Sequence, residues 1–314
     1  MYEITQYTAN DAEQWNAFVA IAKQGTFLFH RNYMDYHADR FADCSFVVRA
    51  KGRIVALLPA NRVDTTLYSH QGLTYGGLLT TEKITAKKVC DIFAQLRQLF
   101  REMGIQRVVY KAIPWIYHRL PAEEDLYAIT NICGARLVAR DISSAFALTD
   151  VQKFTESRRS GLRKALRNNI KVSETENFAS FWNILNTNLN TKYDARPVHS
   201  LDELQLLKSR FPNEIRLFMA FAEDETPLGG TLIYETPCVV HTQYISASVE
   251  GKATGALDLL FDYIINKVYK GRKGYFDFGK STEDEGRILN EPLIHQKEGF
   301  GGRGICYDFY EWRI

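Results

Sequence analysis

The chain has 314 residues and a formal net charge of +2, with 46% hydrophobic and 24% charged residues. That length suits two domains of ordinary size. The near-neutral charge gives no global field for nucleic acid or an anionic membrane. No run approaches the roughly 18 apolar residues of a membrane span, and Met1–Thr5 lacks the basic start and apolar run of a signal peptide. A cytoplasmic protein without integral membrane association is therefore expected.

Short strands and helices alternate along the chain, which predicts an α/β fold. Asp11 caps a helix to about Ala22, and a second helix runs from about Arg31 to Phe41. Ser45–Arg49 and Arg53–Pro59 flank Lys51-Gly52 as a hairpin. A strand from about Leu67 to Tyr75 leads through Gly76-Gly77 to a helix from Thr85 to Met103. On that helix Val89, Ile92, Phe93, Leu96, Leu99 and Phe100 form one apolar face. Gln106–Lys111 is the next strand.

The second half repeats this order. Leu217–Ala222 and Leu228–Tyr234 form a hairpin, a strand runs from Val239 to Ser246, and Gly255 opens a helix over Ala256–Tyr269. The final strand of the unit is Tyr275–Phe278. Matching elements lie about 170 residues apart, too long for a solenoid but suited to a duplicated domain. The expected domains are residues 1–150 and 151–314. The last strand, Cys306–Trp312, either completes the second sheet or returns to the first domain. Between the halves, residues 157–171 predict a basic helix. Arg159, Arg163 and Arg167 share one face and Leu162, Ala165, Leu166 and Ile170 the opposite one. A solvated face and a phosphate-binding face both fit this pattern, and the lack of compensating acids tilts it towards phosphate.

The five cysteines are scattered without a C-x-x-C pair and read as buried thiols in a reducing compartment. The histidines lack metal-ligand spacing, so no metal is expected. No G-x-S-x-G elbow or cysteine in a convincing setting offers a nucleophile.

Hairpin, third strand, helix and following strand is the core order of the GNAT acyltransferase fold, which the second half resembles. The whole resembles the Fem-type, double-GNAT acyltransferases. The likeness is carried by Phe276-Asp277-Phe278-Gly279 with Ser281-Thr282, by Gln296-Lys297-Glu298-Gly299-Phe300-Gly301-Gly302, by Arg163-Lys164-Ala165, and by the stretch from Thr191-Lys192-Tyr193 to Pro197-Val198-His199-Ser200. It covers most of residues 155–314 by motif and 1–150 by architecture. It implies two tandem GNAT-like domains with mixed sheets flanked by helices. It also implies an N-acyltransferase that moves an acyl group from acyl-CoA, acetyl-CoA first among donors, to an amine of a cell-envelope or polysaccharide precursor such as a nucleotide-linked amino sugar.

Two other functions stay open. One is the Fem-type transfer of amino acids from aminoacyl-tRNA to peptidoglycan precursors, which the net charge disfavours because tRNA binding needs a basic surface. The other is a non-catalytic ligand-binding or scaffold protein on a degenerate GNAT fold. Oligomeric state is open.

Acyl transfer to an amine needs a proton acceptor, a donor to the oxyanion, and two substrates held together. Asp277, alternating with Phe276 and Phe278, is the expected base or orienter of the acceptor, or else a turn cap. The resemblance makes Lys297 the group at the transfer step, and Tyr244 is a candidate proton donor to the leaving thiolate. By the same resemblance Lys252, Gly255 and Ala256, in Lys252-Ala253-Thr254-Gly255-Ala256-Leu257, hold the pyrophosphate of acyl-CoA at the helix start. Substrate contacts are expected from Lys192, Tyr193, Arg196, His199, Lys280, Ser281, Thr282, Arg163 and Arg167, and from His241 and Gln243 on one face of their strand.

Overall fold

The computed structural model describes residues 2–193 and 197–314, without the side chains of residues 192 and 193. The chain divides into two compact units. Unit 1 comprises Met1–Ile142, Thr282–Ile288 and Cys306–Ile314, and unit 2 comprises Ser143–Ser281 and Leu289–Ile305. The division falls earlier than residue 150, and the chain's end is counted with unit 1.

In unit 1, β1 (Glu3–Gln6) is followed by α1 (Ala12–Ile21), α2 (Arg31–Met34), β2 (Phe46–Ala50) and β3 (Arg53–Leu58). Next come β4 (Asn61–Val63), β5 (Thr66–Tyr68), β6 (Leu79–Thr80), α3 (Ala86–Glu102), β7 (Arg107–Lys111) and α4 (Glu124–Ala128). The predicted α3 face is the buried one: Val89, Ile92, Phe93, Leu96 and Phe100 enter a core with Phe46, Leu58 and Val108. Two expectations fail here. The helix from Arg31 tightens to a 3-10 turn over Asp35–His37 and ends short of Phe41, and the strand from Leu67 ends at Tyr68. The chain then turns through His70, whose φ of 125° no strand accommodates. Across α3, β5 and β7 pair in parallel, Leu67 opposite Val108.

Strand β8 (Arg136–Ala147) spans the division. Unit 2 continues with α5 (Glu156–Arg167), β9 (Lys171–Glu174), α6 (Phe178–Tyr193), α7 (Leu201–Arg210), β10 (Ile215–Phe221), β11 (Pro227–Glu235) and β12 (Val239–Ala247). Then follow α8 (Val249–Thr254), α9 (Ala256–Tyr263) and β13 (Tyr275–Lys280). The short strands β14 (Thr282–Glu283) and β15 (Ile288–Leu289), α10 (Glu291–Gly299) and β16 (Arg303–Arg313) complete the chain. The unit 2 sheet runs β8-β13-β12-β11-β10-β9.

Helices α6 and α9 cover opposite faces of this sheet. Gly230 of β11 faces Phe181 of α6, because a Cβ there would lie 3.0 Å from its ring. Ile233, three residues on and so on the other face, shares a core with Leu260 and Phe261 of α9. Strand β12 also bulges. Tyr244 pairs with Leu232 and Thr242 with Ile233, so Gln243 is the extra residue. The alternation expected to place His241 and Gln243 on one face does not run through this bulge.

Candidate active site

The parallel strands β12 and β13 pair only over Val239–His241 and Tyr275–Asp277, with His241 opposite Asp277. Beyond that point they part, and a cavity of about 280 Å³ opens between them. Leu185, Asn188 and Leu189 of α6 line it together with Leu257 and Phe261 of α9. Because those helices lie on opposite faces, the cavity penetrates the sheet.

Alternation along β13 sorts its residues. Phe276 and Phe278 enter the α9 core, where Phe278 stacks on Phe300 at 5.7 Å and meets Phe261 edge-on at 5.2 Å. Asp277 points the other way and is wholly buried. A buried carboxylate must be hydrogen-bonded or it is costly, and this one is fully engaged. Its Oδ1 accepts from the Ser143 hydroxyl of β8 and from Gly279 N at 3.1 Å. Its Oδ2 bonds His241 Nδ1 at 2.8 Å. Asp277 thus holds the imidazole in one orientation, and through Gly279 N it also caps the turn that follows its strand. The His241 ring, 8% exposed, lies against Gly279, where a Cβ would sit 3.4 Å from Cε1. Gly279 has φ +74°, so its lack of a side chain serves both backbone and ring.

Lys297 completes the cluster. Phe300 packs against Phe154, Phe261 and Phe278 and thereby anchors the end of α10. One turn earlier on that helix, Lys297 is 5% exposed. Its Nζ donates to Gly279 O at 2.9 Å, Lys280 O at 2.8 Å and Ser281 Oγ at 3.0 Å. Those three bonds match its three donors. Burial pushes the Lys297 ammonium down to about 8, opposed by the nearby Asp277 charge. Lys297 also lines the cavity, with Gln296 beside it.

Several expected site residues lie elsewhere. Lys280 is exposed, and Thr282 falls in unit 1, where its hydroxyl donates to Asp141 at 2.6 Å. Tyr244 bonds His199 Nδ1 through its hydroxyl at 2.7 Å and packs edge-on against Trp182. His199 is buried there. Burial raises the Tyr244 phenol to about 12, and Tyr244 does not line the cavity. Lys192 and Tyr193 lie outside the described side chains, and Arg196 lies outside the described residues.

The expected pyrophosphate grip is covered. Gly255, at φ +79°, joins α8 to α9, and a Cβ there would lie 2.3 Å from Gly161 O of α5. Ala256 is fully buried. Asp258 occupies the first turn of α9 and pairs with Arg158 of α5 at 3.0 Å. The start of α9 thus already faces a protein backbone and a carboxylate, leaving Gly255 and Ala256 no open anion site. Lys252 instead bonds Asn188 Oδ1 at 2.9 Å, and Asn188 bonds Ser246 Oγ and Ala247 O.

The basic helix is also compensated. Glu156 pairs with both Arg159 and Arg163, all largely exposed, and Arg167 is exposed as well. This is a solvated face, not an acid-free one. Sequence reasoning missed Glu156 because the predicted helix began one residue too late. It missed Ser143 and Asn188 because nothing local marks a residue that meets its partner only through sheet or helix packing.

A strand, a helix and a parallel strand that parts from the first, preceded by an antiparallel hairpin, define this as a GNAT-type fold, present with the Fem-type tandem arrangement. Among solved structures, the chain is similar to FemX at a TM-score of 0.70 and 9% identity, covering 99% of this chain and 97% of that one. It is similar to L-PGS from Bacillus licheniformis at 0.63 and 13%, over 98% and 92%. It is also similar to a tandem GNAT protein from the clavulanic acid biosynthesis pathway at 0.55 and 14%, over 100% and 98%. No family model matches the sequence. No curated protein matches it either. Among the described residues no helix is long and apolar enough to cross a membrane.

Proposed function

We propose that the chain is an N-acyltransferase whose transfer centre is the opening between β12 and β13. The observation that carries this reading is the cluster at the point where the strands part: His241 held by Asp277, beside Lys297 on the 279–281 turn. His241, oriented through Nδ1, accepts the proton of the attacking amine at Nε2. Lys297 donates to the oxygen that becomes negative in the tetrahedral intermediate, exchanging its bond to Ser281; the intermediate then collapses with cleavage of the C–S bond, and the departing thiolate takes up the proton that His241 removed from the amine. The acyl group lies in the cavity. No covalent enzyme intermediate is required; the Ser143 and Ser281 hydroxyls of this cluster are bonded to Asp277 and Lys297.

The acceptor in this proposal is an amine of an envelope or polysaccharide precursor, such as a nucleotide-linked amino sugar. The donor is an acyl thioester. Acetyl-CoA remains a donor here only without a pyrophosphate contact at Gly255 and Ala256, since α5 covers them. The test is acyl transfer followed by mass spectrometry, with acyl-CoA thioesters and amino sugars as substrates. Product formation that falls at least 100-fold in both His241→Ala and Lys297→Met supports the reading. Undiminished turnover in either variant refutes the role of that residue. Product formation from aminoacyl-tRNA alone, steeply weakened by salt, would replace the donor with the Fem-type one.

A further inference from the structure

The cavity lining carries a charge pattern that the transfer reading does not use. Its walls are apolar, formed chiefly by Leu185, Leu189, Ile245, Leu257, Phe261 and Leu293. Its polar groups are Asn188, Ser246, Gln296 and two lysines, Lys252 and Lys297. No Asp or Glu lines it among the described residues. A cationic group placed here would lose its water, find no carboxylate, and share a low-dielectric space with an ammonium. An uncharged chain meets the apolar walls without that cost. The volume of about 280 Å³ lies at the small end of the range for ligand pockets, which suits a short or medium chain.

Resting on the transfer-centre reading above, we infer that the acyl group transferred is an uncharged, apolar chain, and not an aminoacyl group with its cationic α-ammonium. The site selects the donor by its acyl end, independently of what carries it. The lysines mark two polar stations, Lys297 at the reacting carbonyl and Lys252 bonded to Asn188.

The test uses thioesters of N-acetylcysteamine, which present the acyl group without a nucleotide or a macromolecule. Binding of hexanoyl- and alanyl-N-acetylcysteamine is measured by calorimetry on the full chain. The expected preference for hexanoyl is at least tenfold, the roughly 100-fold factor for like charges about 6 Å apart at an effective dielectric constant of about 20 being partly offset by the Asp277 charge. Leu189→Glu, at a half-buried lining position, should shrink that preference at least tenfold. Leu189→Trp should weaken hexanoyl binding at least tenfold, with an unchanged melting temperature in both variants. Alanyl binding equal to or tighter than hexanoyl overturns the inference and leaves the transfer centre standing. Binding of neither thioester at millimolar concentration overturns both.

Discussion

Gly255→Ala separates a packing glycine from a phosphate-binding one. A Cβ at position 255 would lie 2.3 Å from Gly161 O, 2.8 Å from Gly161 C and 3.1 Å from its Cα. These are backbone atoms of α5, so no side-chain rotation relieves the contact, and α5 must move away from α9. Holding a non-glycine residue at positive φ costs about 1–2 kcal/mol, and overpacking adds about 1–3 kcal/mol. The expected loss is therefore about 2–5 kcal/mol. For a domain of this size that lowers the melting temperature by about 5–15 °C. Thermal and urea denaturation measure it directly. Gly161→Ala should also destabilise, since its Cβ would meet Asp258 Oδ2 at 1.9 Å and disturb the Arg158 pair. A change of less than 2 °C for Gly255→Ala, accompanied by weaker donor binding, would refute the packing role and restore the anion site.

Three further predictions concern the cluster and the basic helix. Asp277→Asn should lower kcat at least tenfold with a smaller change in KM, because an amide no longer fixes the His241 tautomer; unchanged kcat with lost stability would make the pair purely structural. Lys297 titrates near 8 in the fold against an ordinary 10.5, so the unfolded chain binds more protons between those values and unfolding free energy from this group rises with pH across that window. The rise is at most about 3 kcal/mol, and Lys297→Met should abolish it in urea titrations compared with the parent chain; an identical pH slope in the two would contradict the assignment. Arg163→Ala should change stability by no more than about 0.5 kcal/mol and leave donor KM unchanged, whereas a rise in KM of tenfold would return α5 to the phosphate-binding role.

Periodicity made the hairpins and long helices legible. The α3 face follows a 3.6-residue repeat, and β13 alternates Phe276-Asp277-Phe278, so both could be read without a fold. The stretch Gln296-Lys297-Glu298-Gly299-Phe300-Gly301-Gly302 was legible too, and its physical sense is now plain: Phe300 anchors the helix end that holds Lys297 over the 279–281 turn. What could not be read depends on where pairing stops. The bulge at Gln243 and the parting of β12 from β13 are decided by neighbouring strands. The partnership of His241 with Asp277 joins residues 36 positions apart. Gly255 looked like a phosphate loop because glycine at a helix start serves both anion contact and close helix packing, and only the position of α5 distinguishes them. Ser281 and Thr282, adjacent in sequence, bond to Lys297 and Asp141 respectively.

The central claim is that acyl transfer occurs where β12 and β13 part. It is tested most directly by a crystal structure of the chain with a non-hydrolysable ketone analogue of a hexanoyl thioester. The acyl chain is expected between Leu189 and Leu257, with the carbonyl oxygen within hydrogen-bond reach of Lys297 Nζ. An analogue bound elsewhere, with this opening empty, would contradict it.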